Sequence, residues 1–318
     1  MARRLLPCVL VILLAACSEE PAPEVQVAAM EPVDSFHYWL HAIEVDTSTP
    51  GTDLPDLSIL DTTRDGNDSA RLSNDEVSWF RGPDGLGTVL AYLSIGQAED
   101  HRSYWSADWS DDPPAWLGTE EPNWPGKHTL EYWDPDWRSL LVDQVVELCN
   151  QGFDGVYVDS VDAYLYWSEE HSPENQRIDR DLAADRMLDL MAWLAEAGQE
   201  HCGQGFLMVP QNGEYLGRHA SDDRSMTLSS GLASEDVYFP PDDGEWTDAT
   251  FNPSDARINR MITFVDSGLP VLSIEYLTRP DLRANHDDLA EPEGFLTGQF
   301  CRALDRSHEN GPDPCPEP

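Results

Sequence analysis

The sequence predicts a single-domain (β/α)8 barrel, the TIM-barrel class of α/β fold. Short apolar runs alternate with longer stretches patterned for helices, which is how βα units and a parallel sheet read in a sequence. Eight such runs can be counted. Run after run ends in an acid, an amide or an aromatic residue, and a barrel gathers side chains of that kind from the C-terminal ends of different strands.

Strands are expected near residues 36–43, 57–61, 88–96, 153–159, 205–211, 231–238, 270–276 and 294–300. Two intervening helices carry clear punctuation. Asp134-Pro135 supplies an N-cap and a first-turn proline, Leu140, Leu141, Val145 and Leu148 repeat at helical spacing, and Gly152 stops the helix. Asn252-Pro253 opens another, with Ile258, Met261, Ile262 and Val265 on one face and Gly268 as its stop.

The strand ends hold the chemistry. In Gly155-Val-Tyr-Val-Asp-Ser-Val-Asp162, burial of Val156 and Val158 gains free energy. Asp159 gains none there unless water, a partner or a substrate meets it. The pattern recurs at Asp61, at Glu99-Asp100, at Gln211-Asn212 with Glu214, at Glu235-Asp236 and at Glu275-Tyr276. A long polar, Pro-rich excursion, His101 to Tyr132, follows the third strand and holds Trp105, Trp109, Trp116 and Trp124. Aromatic residues commonly build core. This segment is poor in aliphatics, and flat aromatic faces also pack on the C–H faces of sugars, so Trp124 is a candidate substrate contact.

The termini lie outside the barrel. Arg3 and Arg4 precede an apolar run, Leu5–Leu14, too short to span a bilayer as a mature helix, and Leu14-Ala-Ala-Cys17 closes it. Residues 1–16 read as an export signal, and the small residues before Cys17 resemble a bacterial lipoprotein box. That resemblance implies cleavage before Cys17, lipid on its sulfur and an anchor in the cell envelope. Ser18, rather than the Asp that commonly retains lipoproteins at the inner membrane, favours the outer membrane. A plain secretory signal with an incidental Cys is the alternative. Residues 17–34 read as a flexible acidic, Pro-rich tether, 35–305 as the barrel and 306–318 as a C-terminal tail. One domain, monomeric, suits a mature chain of about 285 structured residues.

Nineteen basic residues stand against 60 acidic ones, a net charge of −41, and Lys127 is the only lysine. Nucleic acid is excluded as a partner by such a surface. Adaptation to high salt and attraction to a cationic substrate both account for the acid. With Cys8 in the signal and Cys17 lipidated, Cys149, Cys202, Cys301 and Cys315 remain, an even number in an oxidising compartment. Pairs 149–202 and 301–315 are preferred, because Cys149 and Cys202 each lie just before a strand and Cys301 and Cys315 would pin the tail. Their spacing does not fit a zinc site, and no metal or cofactor is expected.

Several motifs come in one order: Tyr92-Leu-Ser-Ile-Gly-Gln-Ala-Glu-Asp100, Trp124-Pro-Gly, Tyr132-Trp-Asp-Pro, Gly152-Phe-Asp-Gly-Val-Tyr-Val-Asp-Ser-Val-Asp-Ala-Tyr164, Pro210-Gln-Asn-Gly-Glu214, Glu235-Asp-Val-Tyr238 and Pro270-Val-Leu-Ser-Ile-Glu-Tyr276. Together they resemble glycoside hydrolase family 114, over residues 36–300. The resemblance implies a TIM-barrel endo-α-1,4-polygalactosaminidase with Asp159 and Glu235 as the catalytic pair, Asp159 as nucleophile and Glu235 as acid/base. Glycosidic cleavage needs two such carboxyls. Asp61, Glu99, Asp100, Asp162, Tyr164, Gln211, Asn212, Glu214, Asp236, Glu275, Tyr276 and Trp124 would line the sugar subsites, although Glu214 is equally placed to cap the next helix. Carboxylates there would pair with the ammonium groups of a cationic amino-sugar polymer. Position 97 departs from the family pattern, with Gln where Glu is usual. Two alternatives stay open: a glycosidase for another polysaccharide, and a non-catalytic polysaccharide-binding lipoprotein on the same barrel.

Overall fold

The computed structural model describes residues 21–301 and 304, apart from 42, 50, 66–69, 123, 169–176, 242–249 and 278. The signal, Cys17, the tail and Cys315 lie outside the described residues.

The strands are β1 (Phe36–Trp39), β2 (Leu57–Leu60), β3 (Thr88–Ser94), β4 (Gln97–Glu99), β5 (Leu117–Glu121), β6 (Trp124–Leu130), β7 (Gly155–Asp159), β8 (Leu207–Pro210), β9 (Leu232–Glu235), β10 (Val271–Glu275) and β11 (Leu296–Gln299). The helices are α1 (Asn74–Trp79), α2 (Pro135–Gln151), α3 (Ala163–Ser168), α4 (Arg180–His201), α5 (Leu216–His219), α6 (Arg224–Thr227), α7 (Asp255–Asp266) and α8 (Pro280–Ala290). All eight expected strands form, each shorter than its apolar run. The excursion after β3 adds β4, β5 and β6, an antiparallel sheet in the order β4-β6-β5.

The parallel strands fall into two sheets, β1-β2-β3-β7-β8 and β9-β10-β11. A bridge from Gln211 to Ala233 and a Ser230 N–H to Met208 carbonyl bond of 2.7 Å join them. Between β11 and β1 no ladder forms among the described residues, so the ring expected from the sequence is not closed by backbone hydrogen bonds. Side chains fill the seam instead. Phe36 and Phe300 meet there with ring centroids 5.5 Å apart, and Gly298 leaves room that a Cβ would take from Phe36.

Alternation along each strand sorts side chains into two cores. Phe36, Tyr38, Leu57, Ile59, Leu90, Tyr92, Tyr157, Val209, Ala233, Leu272, Ile274 and Tyr276 fill the barrel interior. Their neighbours in sequence, such as Val89, Ala91, Val156, Val158 and Met208, face the surrounding helices. Fully burying one such aliphatic side chain stabilises by roughly 1.5–3 kcal/mol, so the period-two pattern fixes register against a one-residue slip.

Helix α2 forms where its punctuation places it. The Asp134 carboxylate accepts from the Asp136 N–H at 2.8 Å, and Gly152 ends the helix at φ 94°. Trp137, Leu141, Val145 and Leu148 make its buried face. Helix α7 starts at Asp255, later than expected, because the N–H groups of Asn252 and Ser254 bond the carbonyls of Tyr238 and Val237. Cys149 and Cys202 form the expected disulfide, Cα atoms 5.0 Å apart, tying the end of α2 to the end of α4. Cys301 is disulfide-bonded, and the 301–315 pairing lies outside the described residues.

The expectation of a free tether through residue 34 needs correction. Val27, Met30 and Val33 are buried. The N–H groups of Val27 and Ala28 bond the carbonyls of Thr227 and Phe206 at 3.0 and 3.2 Å. Met30 and Val33 close the bottom of the interior core. These three apolar residues, spaced three apart among Pro and Glu, are enough to seat the segment.

Candidate active site

The same alternation delivers a ring of polar groups above the interior core. β7 ends with Asp159, β9 with Glu235, and β8 and β10 continue into Gln211 and Tyr276. The residue after each of three of these ends is left-handed: Ser160 at φ 59°, Asn212 at 56° and Asp236 at 51°. Such a conformation costs of order 1 kcal/mol or more for a non-glycine residue. It ends the strand abruptly and leaves the preceding side chain directed into the mouth.

Glu235 is gripped from three sides. Tyr276 donates its hydroxyl to Oε1, Gln211 donates its amide to Oε2, and Asn212 Nδ2 donates to Oε2 at 3.2 Å. Asn212 Oδ1 accepts from the Glu235 N–H at 3.1 Å and from Arg257 at 3.0 Å, which fixes its amide. Arg257, from α7, also reaches the Glu235 carbonyl at 3.0 Å and Glu214 at 2.5 Å. Burial raises the Glu235 pKa above the ordinary carboxyl value, the charge of Asp159 raises it further, and the bonds from Tyr276 and Asn212 oppose both. Asp159 is therefore close enough for its charge to be felt.

Asp159 faces a different set. Its Oδ2 accepts from the Tyr92 hydroxyl at 2.6 Å and from Lys127 Nζ at 3.1 Å, and its Oδ1 from the Ser160 N–H at 2.6 Å. Burial foremost keeps the Tyr92 and Tyr276 hydroxyls protonated, so both remain donors. Lys127 comes from β6 and also lies 3.7 Å from Glu99. The excursion sheet thus closes one side of the mouth.

The remaining candidates separate by location. Trp124, 48 % exposed at the start of β6, presents its ring 5.7 Å from Lys127 Nζ. Asp162 sits at the rim before α3, open to solvent on one side; the protein wall behind it, then the charges of Asp159 and Glu214, push its pKa up to about 7. Tyr164 is buried on α3 against His219. Asp100 is exposed on the excursion, its N–H bonded to the Gly126 carbonyl at 2.9 Å. Asp236 follows Glu235 with its N–H on the Ile274 carbonyl at 3.0 Å.

Four acids expected to face sugar are engaged within the protein. Asp61 and Glu99 are buried and share Arg102, at 2.8 and 2.6 Å. Burial works against the charge of Glu99, yet Arg102 and Lys127 hold its pKa down to about 2. Glu214 is buried, with its two oxygens on Arg257 and Ser234. Glu275 is fully buried and accepts the Tyr238 N–H at 2.7 Å. Alternation explains it: Tyr276 points into the mouth, so Glu275 points between sheet and helices. Gln97 accepts from Ser160 Oγ at 3.2 Å and so braces the turn behind Asp159. Tyr92, Lys127, Arg102 and Arg257 were not among the sequence candidates. The parity of β3 points to Tyr92, and the solitary lysine in so acidic a chain points to Lys127.

Parallel strands that bring two carboxyls in different surroundings to their C-terminal rim, near enough for the charge of one to raise the pKa of the other, are an arrangement that suits a glycoside hydrolase. The chain belongs to glycoside-hydrolase family GH114, whose sequence profile matches residues 19–305. It is 30 % identical over 257 residues to an uncharacterized protein of Methanocaldococcus jannaschii, covering 79 % of this chain and 68 % of that protein. It is 32 % identical over 231 residues to one of Deinococcus radiodurans, covering 70 % and 67 %. Its fold is similar to that of Aspergillus fumigatus Ega3 in complex with galactosamine, TM-score 0.63 at 17 % identity, covering 89 % of this chain and 98 % of that one. The glycoside hydrolase domain of PelA from Pseudomonas aeruginosa gives TM-score 0.60 at 19 % identity, covering 86 % and 97 %.

Proposed function

We propose that the protein is an exported, lipid-anchored endo-glycosidase that hydrolyses α-1,4-linked galactosamine-containing polysaccharide through Asp159 and Glu235. The observation that carries the reading is the asymmetry of the two carboxyls. Glu235 is half-buried and desolvation raises its pKa, which suits a group that must hold a proton and deliver it to the leaving glycosidic oxygen. Asp159 receives three donors, one of them an ammonium, which hold its oxygens in place for attack on the anomeric carbon. Glu235, deprotonated by the first step, then takes a proton from the water that releases the glycosyl-enzyme. Trp124 supplies a flat face beside the cleavage point. The bound galactosamine of Ega3 supports the choice of sugar. The lipid anchor rests on the Leu-Ala-Ala-Cys17 motif.

The test is to incubate the purified protein with an α-1,4-galactosamine polymer and size the products. Wild type should shorten the chain, and Asp159→Asn and Glu235→Gln should each slow shortening by about 10³-fold or more. No shortening by wild type, or undiminished shortening by either variant, refutes the reading. Replacement of Cys17 by Ser should move the protein from the detergent phase to the aqueous phase on cell fractionation.

A further inference from the structure

We infer that Arg257 is a positioning residue for the reaction: its guanidinium, brought in by α7, fixes the plane of the Asn212 amide and so keeps an N–H donor on the proton-transferring carboxyl of Glu235. The inference rests on the proposed reading of Glu235 as acid/base and adds to it a residue that acts through another.

The placement begins in the loop after β9. The N–H groups of Asn252 and Ser254 bond the Tyr238 and Val237 carbonyls at 3.0 Å each, which delays α7 and sets its first turn beside the end of β9. From that turn the fork of Arg257 reaches three acceptors. Nε donates to Glu214 Oε1 at 2.5 Å, Nη1 to the Glu235 carbonyl at 3.0 Å and Nη2 to Asn212 Oδ1 at 3.0 Å. The buried Glu214 accepts a second bond from Ser234 at 3.0 Å and so holds the fork from behind.

Asn212 is where the fork meets the carboxyl. Its Oδ1 accepts from Arg257 and from the Glu235 N–H at 3.1 Å, and its Nδ2 donates to Glu235 Oε2 at 3.2 Å. A backbone N–H alone fixes one point and lets the amide turn about it; the rigid, planar guanidinium fixes the plane. A guanidinium offers no acceptor, so the amide cannot present its nitrogen there. Gln211, the preceding residue, is held in the same way, with Oε1 on the Tyr38 hydroxyl at 3.2 Å and its nitrogen on Glu235 Oε2. Two adjacent amides thus turn donors to one oxygen. Such donors favour the charged form. Burial first and then the charge of Asp159 raise the Glu235 pKa, and the Asn212 bond is among those that lower it. The other titratable groups facing Glu235 are Asp236 beside it, Asp162 before α3, Lys127 on β6 and the Tyr38, Tyr157 and Tyr276 hydroxyls. Among the described residues only Arg257 and Glu235 bond the Asn212 side chain.

The experiment records kcat/KM against pH on an α-1,4-linked galactosamine hexasaccharide for wild type, Arg257→Lys, Asn212→Gly and the double variant. Lys keeps a cation beside Glu214 but has a single nitrogen in place of the fork. Gly keeps the positive φ of 56° at position 212 and removes the amide. The alkaline limb, where Glu235 loses its proton, should rise by about half a pH unit or more in each single variant, and no further in the double variant than in Asn212→Gly. Titration of the substrate amine is common to all the proteins and cancels in the comparison. An unshifted limb in Arg257→Lys, or shifts that add in the double variant, overturns the assignment while leaving Glu235 as acid/base. No cleavage by wild type overturns both. If Arg257→Lys does not fold, Arg257→Met combined with Glu214→Gln removes the ion pair as a unit and carries the same expectation.

Discussion

Replacing Glu275 by Gln should remove a pH-dependent liability from the fold. Glu275 has no solvent exposure; Oε1 accepts the Tyr238 N–H at 2.7 Å, and Oε2 has no hydrogen-bond partner among the described residues. Burial first, opposed by the Tyr238 N–H and reinforced by the charge of Asp236, raises its pKa from 4.5 to about 8. The folded protein therefore holds a proton that the unfolded chain has released. Stability is unaffected below the unfolded pKa, falls as pH rises from 4.5 towards 8, and levels off above that. At about 1.36 kcal/mol per pH unit the full window corresponds to roughly 5 kcal/mol, and relaxation around the carboxylate brings the expected loss to about 2–5 kcal/mol. Gln keeps the carbonyl that accepts from Tyr238 and cannot ionise. It places an amide where Oε2 lacked a partner, at a pH-independent cost of about 1–3 kcal/mol. Urea unfolding of both proteins at about pH 4.5 and about pH 8.5 should show the variant weaker at acid pH and level or stronger at alkaline pH. Parallel pH profiles for the two proteins refute the argument.

Tyr276→Phe removes a donor that lowers the Glu235 pKa, so the alkaline limb of the pH–activity profile should move to higher pH, with a reduced maximum. Gly96→Ala would drive a Cβ into the Ser160 carbonyl and the Ala163 side chain; displacement of the turn behind Asp159 should cut kcat far more than thermal stability. Cys149→Ser should cost about 4 kcal/mol by the chain-entropy relation for a 53-residue separation, read as a lower denaturation midpoint that reductant shifts less than it shifts the wild type. Trp124→Ala should raise KM about tenfold with little change in kcat, since its half-exposed ring, 5.7 Å from Lys127 Nζ, is placed to hold sugar and has no group that transfers a proton.

The barrel strands were readable because burial on both faces makes each a short apolar run. The strand-end carboxyls Asp159 and Glu235 were readable because burial alone gives no reason for acid at the ends of those runs. What escaped was decided by parity and by charge pairing across distant segments. Glu275 and Tyr276 are adjacent in sequence and face opposite cores, so only one of them reaches the mouth. Asp61 and Glu99 looked like ligands for a cationic sugar until Arg102, 41 residues from Asp61, came between them. Residues 27–33 looked like tether because Pro and Glu dominate their surroundings. Three spaced apolar side chains met a barrel floor that no local pattern could announce.

The seam between β11 and β1 gives the molecule a hydrogen-exchange polarity. Every barrel strand that carries or leads into a group contacting the two carboxyls, β3, β7, β8, β9 and β10, lies away from it, with β6 contributing Lys127 from the separate antiparallel sheet, and the ladders there run on both sides except for the single bridge between β8 and β9. β1 and β11 each leave one edge to aromatic packing and to the bonds that Leu40 and His41 make with the Leu304 carbonyl. Local opening of the barrel therefore begins at its first and last strands, whose amides should exchange soonest. The half that holds Asp159 and Glu235 keeps its geometry while the first and last strands breathe.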